Sequence, residues 1–315
     1  MRILHVTAPV EAPNAGCVAG LGNFDGVHRG HAALFDEARQ FAERLGAPLA
    51  AAVFEPHPRA FFARDDRPFL LTSLPQKARL LGALGIETVF AIPFDRELAA
   101  LSPEAFVREC LIGHLRLRGV AVGAEFCFGK GRAGDAHALK RLCEADGCAV
   151  EIVTPVLAPG ADEKFSSTQA RAALREGDPR RAAQILGHDW VVEGVVSEGD
   201  RRGRTIGFPT ANISTGDLIQ PKYGVYAVRA KPEGSERWYD GVANFGMRPT
   251  VGGAAPRLEV NLFEFDGDLY GKTLQTAFVD FIRAETKFSG LDALKAQIAL
   301  DAESARSILA AASAV

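Results

Sequence analysis

No apolar run in this 315-residue chain approaches the length of a membrane-crossing helix. The opening Met1-Arg2-Ile3-Leu4-His5-Val6-Thr7 is broken within a few residues by Pro9, Glu11 and Pro13, too short and interrupted for a leader core. Charge of one sign is missing too. With 36 Lys plus Arg against 39 Asp plus Glu the net charge is -3, so neither nucleic acid nor an anionic membrane is attracted in bulk, and a small molecule is the expected partner. Cysteine is sparse: the five residues are odd in number and form no Cys-x-x-Cys, which predicts reduced thiols in a cytoplasmic protein. Repeats and low-complexity segments are absent. The histidines at 5, 114, 137 and 188 lack metal-ligand spacing, and a zinc site of His137, Cys143 and Cys148 is not expected. What remains is an apolar fraction of 47% with 24% charged residues, enough chain for two globular domains.

Gly22-Asn23-Phe24-Asp25-Gly26-Val27-His28-Arg29-Gly30-His31 follows an apolar run, Cys17 to Leu21. It precedes a pattern that puts Ala33, Leu34, Ala38 and Phe41 on one helix face. Strand, glycine-rich turn and helix leave free backbone N–H groups and the positive end of a helix at the turn, which favours phosphate. His28 and His31 add donors whose charge is expected to change near neutral pH, and Gly30 lets a ligand approach the backbone.

The rest of the first half alternates strand and helix patterns, predicting an α/β fold with a parallel sheet. Strands are expected at 49–54, 88–92, 119–123 and 150–153, and helices at 76–84, 104–115 behind Ser102 and Pro103, from Asp135 towards 145, from 165, and at 178–186. Glu55-Pro56-His57-Pro58 must leave its strand abruptly, because neither proline can continue a ladder. The loop 124–135 is rich in small residues and carries Lys130 and Arg132. Near Gly187 the texture changes. Strand-like runs at 191–196, 225–230, 238–243, 258–263 and 274–281 without helices between them predict an antiparallel sheet or small barrel, closed by a helix over 291–311. The domains are expected at 1–186 and 187–315. Within Leu258-Glu259-Val260-Asn261, alternation places Glu259 and Asn261 away from the core, towards solvent or the mouth of a site.

Two constellations carry a resemblance. The opening turn together with Ser166-Ser167-Thr168-x-x-Arg171 resembles the nucleotidylyltransferase superfamily, and Phe54-Glu55-Pro56-His57-Pro58 narrows it to the FAD synthetase module of prokaryotic bifunctional riboflavin kinase/FAD synthetases. Gly203-Arg204-Thr205-Ile206-Gly207-Phe208-Pro209-Thr210-Ala211-Asn212 followed by Gly224-Val225-Tyr226 resembles the riboflavin kinase module, whose family fold is a small antiparallel barrel. The match spans Cys17 to about Arg306 in the family's order.

The resemblance implies a Rossmann-like nucleotidylyltransferase domain followed by the barrel, and two reactions: riboflavin and ATP give FMN, then FMN and ATP give FAD and pyrophosphate. It implies His28, His31 and Glu259 as catalytic residues. For nucleotide binding it implies Asn23, Phe24, Asp25, Gly30, Ser166, Ser167, Thr168, Arg171, Gly207, Thr210 and Asn212, with Thr210 and Asn212 also placing Mg²⁺. Pro56, His57, Glu125, Arg248 and Glu285 are implied at the flavin. Homo-oligomerisation stays open. Two residues depart from the family: Glu125 stands where Asn or Asp is usual, and Asn261 where a histidine often follows the glutamate. Three alternatives stay open at this level: a different phosphate acceptor in the same superfamily, a flavin-binding regulator without chemistry, and a kinase whose adenylylation site is impaired through Glu125.

Overall fold

The computed structural model describes residues 1–63, 67–155, 164–197, 208–250 and 253–312, with 248–250 and 253–255 described by backbone alone. The chain divides into two compact units, Met1–Asp66 with Thr72–Ser166 and Arg67–Leu71 with Ser167–Val315.

The first unit contains β1 (Arg2–His5), β2 (Val18–Leu21), α1 (Arg29–Leu45), β3 (Leu49–Glu55), α2 (Pro58–Phe62), α3 (Leu74–Ala83), β4 (Thr88–Pro93), α4 (Arg96–Ala100) and α5 (Pro103–Ala105). A π-helix (Phe106–His114), β5 (Gly119–Gly123), the β6 (Cys127–Phe128) and β7 (Gly134–Asp135) hairpin, α6 (Ala136–Ala145) and β8 (Ala149–Val153) complete it. Six strands pair in parallel in the order β1-β4-β3-β2-β5-β8. The predicted strands are present. β1, unremarked in the sequence, adds an edge beside β4, and the helix expected over 104–115 is α-helical only at its start.

Both sheet faces are buried, as the unbroken apolar run of β3 requires. Ala50, Ala52 and Phe54 point into one cluster with Phe90, Val120 and Leu111, whereas Ala51 and Val53 join Phe35, Leu81 and Val89 on the other side. On α1 the buried stripe is Leu34, Phe35, Ala38, Phe41 and Ala42, with Phe35 in place of the expected Ala33. Phe35 lies so close to β2 that a Cβ on Gly20 would meet its ring at 2.6 Å. From β2 the chain builds outward through β3 and β4 on one side and through β5 and β8 on the other. That reversal puts the crevice for a ligand at the carboxyl end of β2, where the glycine-rich turn begins.

In the second unit, α7 (Ser167–Glu176) and α8 (Pro179–Leu186) precede β9 (Trp190–Val195), β10 (Ala211–Ile213), β11 (Gly224–Pro232), β12 (Tyr239–Thr250), β13 (Gly253–Leu262), β14 (Thr273–Ala284) and α9 (Leu291–Ala312). The strands form one antiparallel sheet in the order β10-β13-β12-β11-β14-β9. A bridge from Ser197 to Asn212 links the two edges and curls the sheet towards closure, the expected small barrel. Trp190, Tyr226 and Phe278 are buried together, with ring centroids 4.9 Å apart in each contact with Phe278, tilted for Trp190 and edge-on for Tyr226. Ala302, Ala305 and Leu309 of α9 pack on Val225, Ala227 and Val242. Arg283 at the end of β14 grips the nearly buried Asp301 of α9 through two bonds, Nε to Oδ1 at 2.8 Å and Nη2 to Oδ2 at 2.6 Å.

Candidate functional site

The turn after β2 is held in an unusual backbone. Phe24, Gly26 and Val27 have φ of 46°, 80° and 41°. Glycine adopts such values freely, but a β-branched residue does so at a cost on the order of 1–3 kcal/mol, so the surroundings must impose it. Asp25 supplies the clamp. Its carboxylate Oδ1 accepts from the backbone N–H of Thr72 at 3.0 Å and from the Thr72 hydroxyl at 3.1 Å, while the Gly26 N–H donates to that same hydroxyl at 3.1 Å. Thr72 directly precedes Ser73, which caps α3 in a reciprocal box with Gln76.

His28 caps α1, its Nδ1 accepting from the His31 N–H at 3.3 Å. The two imidazoles stack with centroids 3.5 Å apart, and Phe24 meets His31 edge-on at 5.1 Å. Burial lowers the pKa of His31 well below its ordinary 6.5, and the charges of His28 and Lys77 lower it further. The expectation that both rings change charge near neutral pH therefore fails for His31, which stays neutral. Its Nδ1 is buried without a hydrogen-bond partner.

A cleft of about 290 Å³ opens beside this pair. Leu21, Phe24, Leu34, Phe126, Val153 and Phe165 give it apolar walls, and His28, His31, Glu125, Lys164 and Ser166 give it polar groups. Gly30 lies in the lining. A Cβ there would come within 3.1 Å of the His28 ring and 3.4 Å of the Phe165 carbonyl oxygen. Glu125 and Lys164 form an ion pair within the lining.

Of the other residues expected here, Asn23 and Asp25 are not among the lining residues. The Oδ1 of Asn23 is buried without a partner, and Asp25 acts on the turn itself. Pro56 and His57 follow β3 at its carboxyl end, where His57 caps α2 by accepting from the Arg59 N–H at 3.0 Å. Ser167 and Thr168 open α7 in the second unit. Arg171, one turn along, is buried at 6% exposure, donates from Nε to the Phe69 carbonyl at 2.8 Å and lies over the Phe69 ring. Thr72 belongs to the turn's support, and Lys77 of α3 is buried.

The second site is a row across the barrel sheet. Leu258 and Val260 are buried at 0% and 1% exposure, so Glu259 faces the other way, as alternation predicted. In register, Glu259 of β13 stands between Asn212 of β10 and Asn244 of β12. Asn244 Nδ2 donates to Glu285 Oε1 at 3.4 Å, and Asn261, two residues beyond Glu259, donates to the Pro209 carbonyl at 2.6 Å. The Glu285 carboxylate lies over Gly246, where a Cβ would be 2.0 Å from Oε1. Thr210 is half-buried immediately before β10. Gly207 lies outside the described residues, as does the side chain of Arg248, whose backbone sits on β12. Strand pairing is what sets Asn244 directly beside Glu259.

Residues 10–169 match a family model described as FAD synthetase, and residues 186–309 match one described as riboflavin kinase. The chain is 42% identical over 296 residues to the bifunctional riboflavin kinase/FMN adenylyltransferase of Escherichia coli strain K12, covering 94% of each chain. It is 38% identical over 315 residues to the protein of the same description from Bacillus subtilis strain 168, covering 97% of each. Among solved structures, one described as a macrolide-efflux protein from Streptococcus pneumoniae superimposes with a TM-score of 0.85 at 30% identity, over 96% of this chain and 98% of that one.

Proposed function

The chain belongs to the family of bifunctional riboflavin kinases and FMN adenylyltransferases, and from that premise we propose how its residues divide the two reactions. It phosphorylates riboflavin to FMN with ATP, then transfers AMP from a second ATP to FMN, giving FAD and pyrophosphate. We assign the transfer of AMP to residues 1–186 and the kinase to 187–315. The efflux description of the S. pneumoniae structure is not carried over, because the curated relatives at higher identity name both flavin steps.

In AMP transfer, an FMN phosphate oxygen attacks the α-phosphorus of ATP and pyrophosphate leaves. Charge accumulates on the oxygens around phosphorus, and fixed donors that need no reorganisation stabilise it best. The stacked His28 and His31 at the start of α1 support that role, with His31 held as a neutral ring. Backbone N–H groups of the turn and the positive end of α1 add to it. Ser166, Ser167, Thr168 and Arg171 are assigned to the triphosphate. The apolar cleft walls suit a flat heteroaromatic ring, and Pro56, His57 and Glu125 are assigned to the flavin.

In the kinase reaction, the ribityl hydroxyl of riboflavin attacks the terminal phosphorus of ATP, its proton passes to Glu259, and ADP leaves. Asn212 and Asn244 flank that carboxylate and supply neutral polar neighbours. Among the described residues no three His, Cys, Asp or Glu side chains gather into a metal cage. The hydroxyl of Thr210 and the amide oxygen of Asn212 instead fit Mg²⁺ as it travels with ATP, held largely by phosphate oxygens and water. Bound there, the ion would neutralise phosphate charge. Arg248 and Glu285 are assigned to the flavin side of the site and Gly207 to the nucleotide side.

The observation that carries the two-site reading is the presence, in separate units, of a phosphate turn capped by paired imidazoles and a strand glutamate flanked by two amides. Its test is purified protein with riboflavin, ATP and Mg²⁺, products resolved by chromatography. FMN followed by FAD is expected; no FMN overturns the reading. His28→Ala should abolish FAD yet leave FMN, and Glu259→Ala should abolish FMN yet allow FAD from supplied FMN. Loss of both products in either folded variant would refute the partition.

A further inference from the structure

Apart from the two imidazoles, Glu125 and Lys164 are the ionisable side chains that line the cleft beside His28 and His31, and no step above uses the lysine. They come from segments 39 residues apart. Glu125 sits in the turn after β5, which the Phe126 N–H closes by donating to the Gly123 carbonyl at 2.9 Å. The Ala124 N–H ties that turn to the end of β8, donating to the Val153 carbonyl at 3.1 Å. Lys164 comes two residues before Ser166 in the same lining, and its Nζ donates to Glu125 Oε2. Both side chains keep contact with solvent, Lys164 at 42% exposure and Glu125 at 70%. An ion pair so exposed does little for folding stability. Its effect is on what enters the cleft.

We propose that Lys164 is a specificity-determining residue for AMP transfer: by neutralising Glu125 in the cleft wall it admits a flavin that carries a phosphate. The proposal rests on the assignment of AMP transfer to residues 1–186 and of Glu125 to the flavin. AMP transfer brings two anions together, the monophosphate of FMN and the triphosphate of ATP. A lone carboxylate in the wall would repel both, and apolar walls such as those of Leu21, Leu34, Phe126 and Val153 concentrate its field inside the cleft. With Lys164 bonded to it, the acid adds no net charge there. Lys164 thus acts through the carboxylate and not on the reacting atoms. The pair also accounts for a working transfer site in a chain whose Glu125 departs from the family's Asn or Asp.

The test measures FAD formation from FMN and ATP in the full-length protein at varied ionic strength. In Lys164→Met the KM for FMN should rise about fivefold at low salt, with kcat within about twofold of the parent. The ratio of the two KM values should fall towards one as ionic strength is raised from about 0.02 M to about 0.3 M, because salt screens the exposed carboxylate. FMN formation from riboflavin should be unaltered. Lys164→Arg keeps the charge and should hold the KM for FMN within about twofold of the parent. Adding Glu125→Gln to Lys164→Met removes the uncompensated charge and should bring that KM down at least twofold from the value of Lys164→Met alone. An unchanged KM for FMN in Lys164→Met overturns the proposal. A rise that neither salt nor Glu125→Gln relieves also overturns it, since Lys164 would then act on the substrate directly and not through Glu125. Failure of the underlying assignment is distinguishable, because it would appear as undiminished FAD formation in His28→Ala.

Discussion

Gly246→Ala isolates one feature of the proposed kinase site. A Cβ at this position would lie 2.0 Å from Glu285 Oε1, 2.6 Å from Cδ and 2.9 Å from Oε2, and no such contact survives. Either β12 or Glu285 must yield. At Gly246 β12 is paired with Arg257 of β13, and its pairing with β11 begins at the next residue, Phe245, whereas Glu285 is an exposed flexible side chain beyond the end of β14. The carboxylate therefore swings away and its bond from Asn244 is lost. An exposed bond of 3.4 Å sits near the low end of about 0.5–1.5 kcal/mol, and alanine in place of glycine in a strand returns roughly 0.5–1 kcal/mol. The melting temperature should hardly change. Function should change more: displacing Glu285 from the flavin side should lower kcat/KM for riboflavin phosphorylation by about tenfold, or ~1.4 kcal/mol of transition-state stabilisation. Initial rates of FMN formation measure this, with FAD formation from supplied FMN as the internal control. Rates within twofold of the parent in a folded variant would refute the role of Glu285. A large loss of thermal stability would refute the claim that the side chain, and not the strand, gives way.

Three further outcomes concern stability. Thr276 is fully buried and its hydroxyl has no partner, so Thr276→Val should stabilise the protein by ~1 kcal/mol in denaturant titrations, and a destabilisation would contradict this. Asp301→Ala removes the acceptor of Arg283 Nε and Nη2 and leaves only the Nη1 bonds to the Ala284 carbonyl and the Thr286 hydroxyl, the Arg283 side chain being 22% exposed against 5% for Asp301. The loss should be about 3 kcal/mol, at the lower end for breaking a buried pair, read as a fall of roughly 6–12 °C in melting temperature. His31 binds its proton less readily folded than unfolded. Where pH lies between its lowered folded value and the ordinary 6.5, the unfolded state holds more protons. The contribution of His31 is thus complete above pH 6.5 and lost as pH falls below it. His31→Asn should flatten the pH dependence of unfolding free energy below pH 6.5, and an unchanged slope would count against the lowered value.

The main elements were legible because their signals are local. Cys17 to Leu21, the glycines at 22 and 26 and the stripe from Leu34 to Phe41 identify strand, turn and helix within a few residues. Ser102 with Pro103 and Asp135 marked helix starts, and both caps are present, Asp135 accepting from the Ala138 N–H at 2.7 Å. The misses have equally physical causes. β1 is four residues long and only partly buried, so its pattern is weak. The continuation of α5 as a π-helix changes hydrogen-bond spacing without changing which residues are apolar. Lys77 looks like any solvent-facing helix lysine until its surroundings are known.

By itself the sequence determined two things about this protein: a glycine-rich turn between a strand and the start of a helix, and a glutamate alternating out of a strand core. Both follow from side-chain periodicity along a single element, which needs no knowledge of the rest of the chain. Only the tertiary structure decided what surrounds them. Asn212 and Asn244 reach Glu259 through strand register, Thr72 reaches Asp25 across 47 residues, and His31 loses its charge by burial. Register and desolvation belong to segments brought together from far apart, and no local pattern encodes them.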